Sequence, residues 1–132
     1  MDQRVCDRSA FDRTLLPWIL FGLVVALGTG EAAAHAFLDH AVPPVGATVT
    51  ASPTTLQLFF SEPIEPLFSG AELATAAGRR VTTGAATSDP HNPAALVLAL
   101  PPLAPGRYRV SWHVVSVDMH RTEGSYEFSV GQ

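Results

Sequence analysis

The chain has 132 residues, which is enough for one domain with a single hydrophobic core. Its 12 acidic residues outnumber its 8 lysines and arginines, so the formal net charge at neutral pH is −4. This balance predicts no nucleic-acid partner and disfavours attraction to anionic membranes, because both require a positive protein surface.

An apolar segment near the N-terminus is typical of a secretory signal peptide. It reads LLPWILFGLVVALGT at residues 15–29, which is short for a membrane span and is interrupted by proline and glycine. Arginines precede it at positions 4, 8 and 13, but nearby aspartates offset their charge, so an uncleaved membrane anchor stays an alternative. The only cysteine, Cys6, lies ahead of the segment. A mature domain without cysteine suits export to a bacterial periplasm.

Small residues after the apolar segment supply two cleavage sites of the Ala-x-Ala type. Cleavage after Ala34 would make His35 the first residue of the mature protein, whereas cleavage after Ala36 would release Phe37. The local sequence is compatible with both. From residue 35 onward there are five arginines, no lysine and eight acidic residues, so we expect a mildly acidic mature domain.

The rest of the chain has the pattern of an all-β protein. Short runs rich in Val, Leu, Phe and Tyr alternate with glycine and proline, and we find no apolar stripe with helical period. Seven strands in about 98 residues predict a β-sandwich. The polar segment TSDPHNP at residues 87–93 is predicted to be a surface loop. The predicted strands are an edge strand at 36–41 and further strands at 56–60, 71–75, 80–87, 94–100, 107–117 and 124–130.

Two of these strands alternate strictly between apolar and polar residues. In the strand at 107–117 the predicted buried face carries Tyr108, Val110, Trp112 and Val114. The strand at 124–130 repeats the alternation and is predicted to be its neighbour. Most aromatic residues are thereby assigned to the core. No flat aromatic platform for gripping a polysaccharide or stacking bases is visible in the pattern.

Three residues could supply ligands for a metal ion. Asp118 and His120 lie two apart in SVDMH, and if the strand continues, their side chains leave one face with Cα atoms roughly 6.6 Å apart. The alternative is an aspartate that caps a turn beside a solvated histidine. An N-terminal His35 would add two nitrogens, the α-amine and imidazole Nδ1, in a six-membered chelate. Three nitrogens and one oxygen suit tetragonal Cu(II) better than tetrahedral Zn(II).

Beyond these residues, the chain resembles the CopC copper-resistance family from His35 to about Val130. The matching segments are HAFLDHAVPP, LFFSEPIEP, LAPGRYRVSW and VVSVDMH followed by Gly124, in the family's order. The resemblance implies a Greek-key β-sandwich with Ig-like topology that holds one Cu(II) per chain. It assigns His35, Asp118 and His120 as ligands and places Glu62 as an outer or axial ligand. We therefore expect residues 1–34 to be a cleaved signal peptide and residues 35–132 the copper-binding domain.

The resemblance implies a periplasmic Cu(II)-binding protein without enzymatic activity. It would sequester copper for resistance or deliver it to a polytopic inner-membrane copper transporter, and we expect a monomer. Some family members bind Cu(I) through a methionine-rich insertion, but beyond residue 34 this chain has only Met119, which we expect to pack rather than to coordinate. We expect His40, His91 and His113 to be surface or hydrogen-bonded histidines.

Two other functions compete with this expectation. A bidentate N-terminal histidine with a second histidine is also the copper site of lytic polysaccharide monooxygenases, so a copper-dependent oxidative enzyme is one alternative. The small size and the additional Asp118 ligand disfavour it. A metal-free Ig-like interaction module is the other alternative, favoured if the leader stays attached or if cleavage releases Phe37.

Overall fold

The computed structural model describes residues 35–132, and the predicted signal peptide at 1–34 lies outside the described residues. Nine strands form two sheets, with strand orders β1-β3-β7-β6 and β2-β9-β8-β4-β5, and one 3-10 turn, η1, precedes β4. The predicted all-β sandwich is confirmed. The elements are β1 Leu38–Val42, β2 Thr48–Val49, β3 Thr55–Phe60, η1 Pro66–Phe68, β4 Gly70–Thr75, β5 Arg80–Val81, β6 Thr87–Asp89, β7 Asn92–Ala99, β8 Gly106–Val115 and β9 Arg121–Val130.

The core lies between the two sheets. In β8 the side chains of Tyr108, Val110 and Val114 are buried, and in β9 those of Tyr126 and Phe128 are buried, so the predicted alternation is confirmed in both strands. Each such apolar side chain contributes roughly 1.5–3 kcal/mol to folding when it leaves water. The opposing sheet contributes alternate residues of its two central strands, Leu56, Leu58, Phe60, Leu96 and Leu98.

Trp112 is less buried than the sequence pattern predicts. Its ring packs against the core edge-on to Phe60, with ring centroids 5.2 Å apart, but part of it stays exposed. Gly124 faces it across the β8–β9 pair. A Cβ atom at Gly124 would lie 2.6 Å from Cζ2 of Trp112, so the indole occupies the space that any larger residue would need.

One strand prediction and one loop prediction were wrong, and one short strand was missed. The predicted strand at 80–87 is two short strands, β5 and β6, which belong to different sheets. The predicted loop at 87–93 is a β-hairpin in which β6 pairs with β7 across a turn at Pro90 and His91. The two-residue strand β2, which pairs in parallel with the end of β9, was not predicted. Such short strands have too few residues to show an alternating pattern.

Strands of both sheets begin or end together at one end of the sandwich. The start of β1 pairs with the end of β3, and the end of β8 pairs with the start of both β4 and β9. An isolated bridge between Ile64 and Ser116 joins the β3–β4 connection to the β8–β9 connection. We call this the upper end. No helix among residues 35–132 has the length and apolar character needed to span a bilayer.

Candidate metal centre

The connection between β8 and β9 is a tight turn at the upper end. Strand β8 ends at Val115, so the strand does not continue through Asp118 and His120 as the sequence analysis assumed. The amide of Ser116 donates to the carbonyl of His120 at 2.9 Å, and the amide of Met119 donates to the carbonyl of Ser116 at 2.8 Å. These bonds turn the chain back on itself. Asp118 and His120 are therefore brought together by the turn and not by the pleat of a strand.

The side chains of Asp118 and His120 contact each other directly. Nδ1 of His120 lies 3.0 Å from Oδ2 of Asp118, and both side chains are partly exposed, 49% for His120 and 40% for Asp118. The hydroxyl of Ser116, a residue that is 1% exposed, donates to Oδ1 of Asp118. This hydrogen bond, with a smaller contribution from His120, lowers the pKa of Asp118 below its usual range. The carboxylate is thus ionised at neutral pH and both its oxygens are oriented.

His35 lies beside His120 at the same end. Their ring centroids are 5.2 Å apart, and the rings are nearly perpendicular, at 83°. The segment that carries His35 is held by both sheets. The hydroxyl of Thr122 in β9 donates to the carbonyl of Ala36 at 2.6 Å, and the amide of Phe37 donates to Oγ of Ser61, just after β3, at 3.0 Å. Ala36 itself is fully buried, so the position of residue 35 is fixed by its neighbour.

Glu62 is half-buried and follows Ser61 at the upper end. No hydrogen bond or ion pair among residues 35–132 joins its side chain to His35, Asp118 or His120. The structure therefore brings together three of the four predicted ligands and leaves the fourth on an adjoining segment.

The three neighbouring side chains form two overlapping pairs. His120 pairs with Asp118 through a hydrogen bond and with His35 through ring contact. Among the residues that the structure describes, no three His, Cys, Asp or Glu side chains are already arranged to hold a metal ion. The donors are imidazole nitrogens and a carboxylate oxygen, the types that favour Cu(II) or Zn(II) over the hard cations. Ligation through Nδ1 of His120 would replace its hydrogen bond to Asp118, whereas ligation through Nε2 would leave that hydrogen bond in place.

Other residues that the sequence singled out lie apart from this group. Met119 is 67% exposed, so the prediction that it packs is wrong; the turn places it outward, away from the core. His40 stacks on Phe59, with ring centroids 4.2 Å apart, and pairs with Asp39. The ring of His113 lies over Gly70 on the outer face of its sheet, and His91 is exposed in the β6–β7 turn.

Sequence reasoning missed the residues that support the site. Ser116, Thr122 and Ser61 each hydrogen-bond a candidate ligand or the segment next to one. Ser116 continues the buried register of Val110 and Val114, and a polar residue at a buried position indicates a specific hydrogen-bond partner. That signal was available in the sequence. The positions of Thr122 and Ser61 follow only from the contact between sheets.

Comparison with known proteins gives consistent matches over this domain. The chain is 41% identical over 116 residues to protein YobA of Escherichia coli K12, covering 87% of this chain and 94% of YobA. It is 36% identical over 115 residues to copper resistance protein C of Xanthomonas campestris pv. juglandis, covering 82% and 89% of the two chains. The crystal structure of CopC from Methylosinus trichosporium OB3b superimposes with a TM-score of 0.70 at 37% identity, covering 74% of this chain and 94% of that one.

A more distant relative is much longer. The copper transport protein CutJ of Bacillus subtilis is 27% identical over 116 residues, which are 87% of this chain but only 21% of CutJ. A domain like this one is therefore one part of a longer chain in that relative.

The family model for the CopC domain matches residues 38–131. This range contains Glu62, Asp118 and His120, whereas His35 lies three residues ahead of it. Together with the relatives above 30% identity and the shared sandwich fold, the match supports a copper-related function and establishes that the chain belongs to the CopC family.

Proposed function

We propose that this chain is an exported periplasmic protein that binds one Cu(II) and either sequesters it or delivers it to a membrane copper transporter, without catalytic turnover. In this proposal residues 1–34 are a cleaved signal peptide and the mature domain is a monomer. The ligands are the α-amine and imidazole of His35, the carboxylate of Asp118 and the imidazole of His120, and Glu62 is an outer or axial ligand.

The observation that carries the proposal is the proximity of His35, Asp118 and His120 at one end of the sandwich. The His35 and His120 rings are 5.2 Å apart and the His120–Asp118 contact is 3.0 Å. In this proposal the partly exposed side chains of Asp118 and His120 rotate so that they and His35 face one ion. With the amine of His35, they offer three nitrogens and one oxygen, the donor set that Cu(II) prefers in a tetragonal geometry.

The packing of Ala36 supports cleavage after Ala34 over cleavage after Ala36. Ala36 is fully buried, and its carbonyl accepts the hydrogen bond of Thr122. Cleavage after Ala36 would remove this residue, open a small cavity and leave the Thr122 hydroxyl without its partner. An unmade hydrogen bond of this kind costs roughly 1–3 kcal/mol. A mature protein that begins at His35 keeps both contacts.

Two relatives are named for copper resistance and copper transport, which supports a copper-related role for this chain. The relatives are named copper resistance protein C and copper transport protein CutJ. The proposed ligand set favours copper binding over catalysis. If Asp118 were a ligand, it would occupy a position that a copper enzyme needs open for oxygen. In this proposal the site binds and releases Cu(II) at equilibrium.

Electron paramagnetic resonance on the exported protein tests the proposal. N-terminal sequencing should give His35 first, and one equivalent of Cu(II) should give a type-2 spectrum with nitrogen couplings. The His113→Ala variant is the matched control, because His113 lies on β8 outside the site, and its spectrum should be unchanged. Tight retention of two copper ions, or of none, would contradict the proposal.

A further inference from the structure

Exposed apolar side chains are concentrated around the candidate metal centre. The largest exposures are those of Leu67 at 91% and Met119 at 67%, and burial of such side chains is normally favourable by about 1.5–3 kcal/mol each. Of the seven large apolar residues exposed among residues 35–132, five lie at the upper end. We call these five the apolar collar: Phe37, Leu67, Phe68, Val117 and Met119.

Ring proximity, chain adjacency and one backbone hydrogen bond relate the collar to the candidate ligands. The ring of Phe37 lies 6.1 Å from the ring of His35, at an angle of 71°. Val117 and Met119 flank Asp118 in the β8–β9 turn. The amide of Val117 donates to the carbonyl of Pro63 at 3.2 Å, which holds this turn against the segment that leads into η1, where Leu67 and Phe68 lie. The collar therefore lies on three connected segments at the same end of the sandwich as the metal donors.

Met119 has a backbone conformation that most side chains avoid. Its φ angle is +68°, in the left-handed region where glycine or asparagine is usual. The turn nevertheless carries a methionine, and the thioether points into solvent instead of packing. Methionine is flexible and polarizable, and it is frequent at surfaces that adapt to a partner. A strained and exposed apolar residue at this position indicates a role in binding.

We propose that the apolar collar is the docking surface for an integral membrane protein that accepts the copper, an inference that rests on the proposed function. Charge disfavours two other occupants. Glu62, Glu65 and Asp118 lie at this end, and Arg121 there is within 3.5 Å of Glu123, so an anionic bilayer or a second acidic copy would meet like charges. The occupant is a protein with an apolar surface around its own copper ligands. In CutJ, a domain of this kind is covalently joined to a much longer polypeptide.

Vesicle binding with a paired variant tests this proposal. The mature protein is mixed, with and without one equivalent of Cu(II), with inner-membrane vesicles of the source organism, and the sedimented fraction is measured. The test variant is Leu67→Ser with Phe68→Ser, which leaves the candidate ligands intact. Val45→Ser is the matched control, because Val45 is 60% exposed but follows β1 at the opposite end. Copper transfer to the vesicles and to EDTA is followed in parallel.

We expect the double variant to bind the vesicles roughly tenfold more weakly or worse, since a few apolar residues carry most of the binding energy at an interface. The Val45→Ser variant should bind as the native protein does, and all three should lose copper to EDTA at the same rate. Equal vesicle binding by the double variant would overturn the proposal. The proposal would also be overturned if the native protein bound protein-free vesicles of the extracted lipids, or protease-treated vesicles, as well as it binds untreated vesicles. A lipid surface would then be the occupant.

Sedimentation equilibrium of the protein alone tests whether a second copy of this chain, and not a membrane protein, covers the collar. A native dimer that the double variant abolishes would assign the collar to self-association and would overturn the proposal. Failure of the proposed function is seen separately, as a native protein that takes up no Cu(II). Vesicle binding by the copper-free protein is measured independently of that result, so each claim is decided by its own readout.

Discussion

Replacing Ser116 by alanine removes the hydrogen bond that orients the candidate aspartate ligand. Ser116 is almost fully buried, and its hydroxyl donates to Oδ1 of Asp118 while Oδ2 contacts His120. The hydroxyl also lies 3.1 Å from the carbonyl of His120, and the substitution removes this contact too, but the backbone bond from the Ser116 amide to the same carbonyl stays in place. The turn should therefore persist, and the effect should fall on the carboxylate.

We expect Ser116→Ala to lower the Cu(II) affinity more than it lowers the free energy of unfolding. Groups that hydrogen-bond a metal ligand typically contribute 10–100-fold to metal affinity, equivalent to about 1.4–2.7 kcal/mol. Asp118 is 40% exposed, so water replaces the lost donor in the copper-free protein and the free energy of unfolding should change by less than about 1 kcal/mol. The Ser116→Ala variant should thus bind Cu(II) 10–100-fold more weakly while remaining folded.

Competition titration of Cu(II) against a chelator of known affinity measures this loss. The fluorescence of Trp112, the only tryptophan after residue 34, reports occupancy in the mature domain. Ser111→Ala is the matched control, because Ser111 lies on the exposed face of the same strand, and its affinity should be unchanged. A Ser116→Ala variant that binds within twofold of the native protein would refute the role of this hydroxyl.

Three further predictions test the ligands, the packing and the metal. His120→Ala should weaken Cu(II) binding by orders of magnitude, while the circular dichroism spectrum stays unchanged. Native Cu(II) affinity in that variant would show that His120 is not a ligand. Gly124→Ala should cost about 1–3 kcal/mol, because its Cβ would lie 2.6 Å from the rigid Trp112 ring, whereas Gly131→Ala meets only ordinary contacts; equal thermal midpoints would contradict this packing. Cu(I) should be held more weakly than Cu(II) in a chelator competition, since residues 35–132 contain one thioether, and equal affinities would reveal a further site.

The long strands of the fold could be predicted from sequence because each carries several periods of alternation. Strands β8 and β9 have ten residues each, and their inward positions are apolar from Tyr108 to Val114 in β8 and from Tyr126 to Val130 in β9. The short strands could not be predicted in the same way. In the segment 80–87, strand β5 and the first residue of β6, Thr87, flank a connection between sheets, and only the pairing of β5 with β4 and of β6 with β7 distinguishes them.

The turn that contains Asp118 and His120 could not be predicted from the sequence because of the residue at position 119. A glycine or asparagine at position 119 would have indicated a turn, because the backbone there is left-handed, but the sequence has methionine. The sequence alone therefore predicts a strand that continues through Asp118. The choice of residues did not depend on that error, since Asp118 and His120 are adjacent in either geometry. The proximity of His35 required the three-dimensional fold, because 85 residues separate it from His120.

The Cu(II) affinity of a mature domain with one glycine added ahead of His35 shows whether the α-amine of His35 is a ligand. The added residue converts the α-amine of His35 into an amide, which binds copper near neutral pH only by losing a far less acidic proton, and it leaves the imidazole, Asp118 and His120 unchanged. We predict that affinity falls by orders of magnitude and the nitrogen couplings change, while circular dichroism stays the same. A glycine-extended domain with native affinity and a native spectrum would show that the amine of His35 is not a ligand, and would contradict the proposed site.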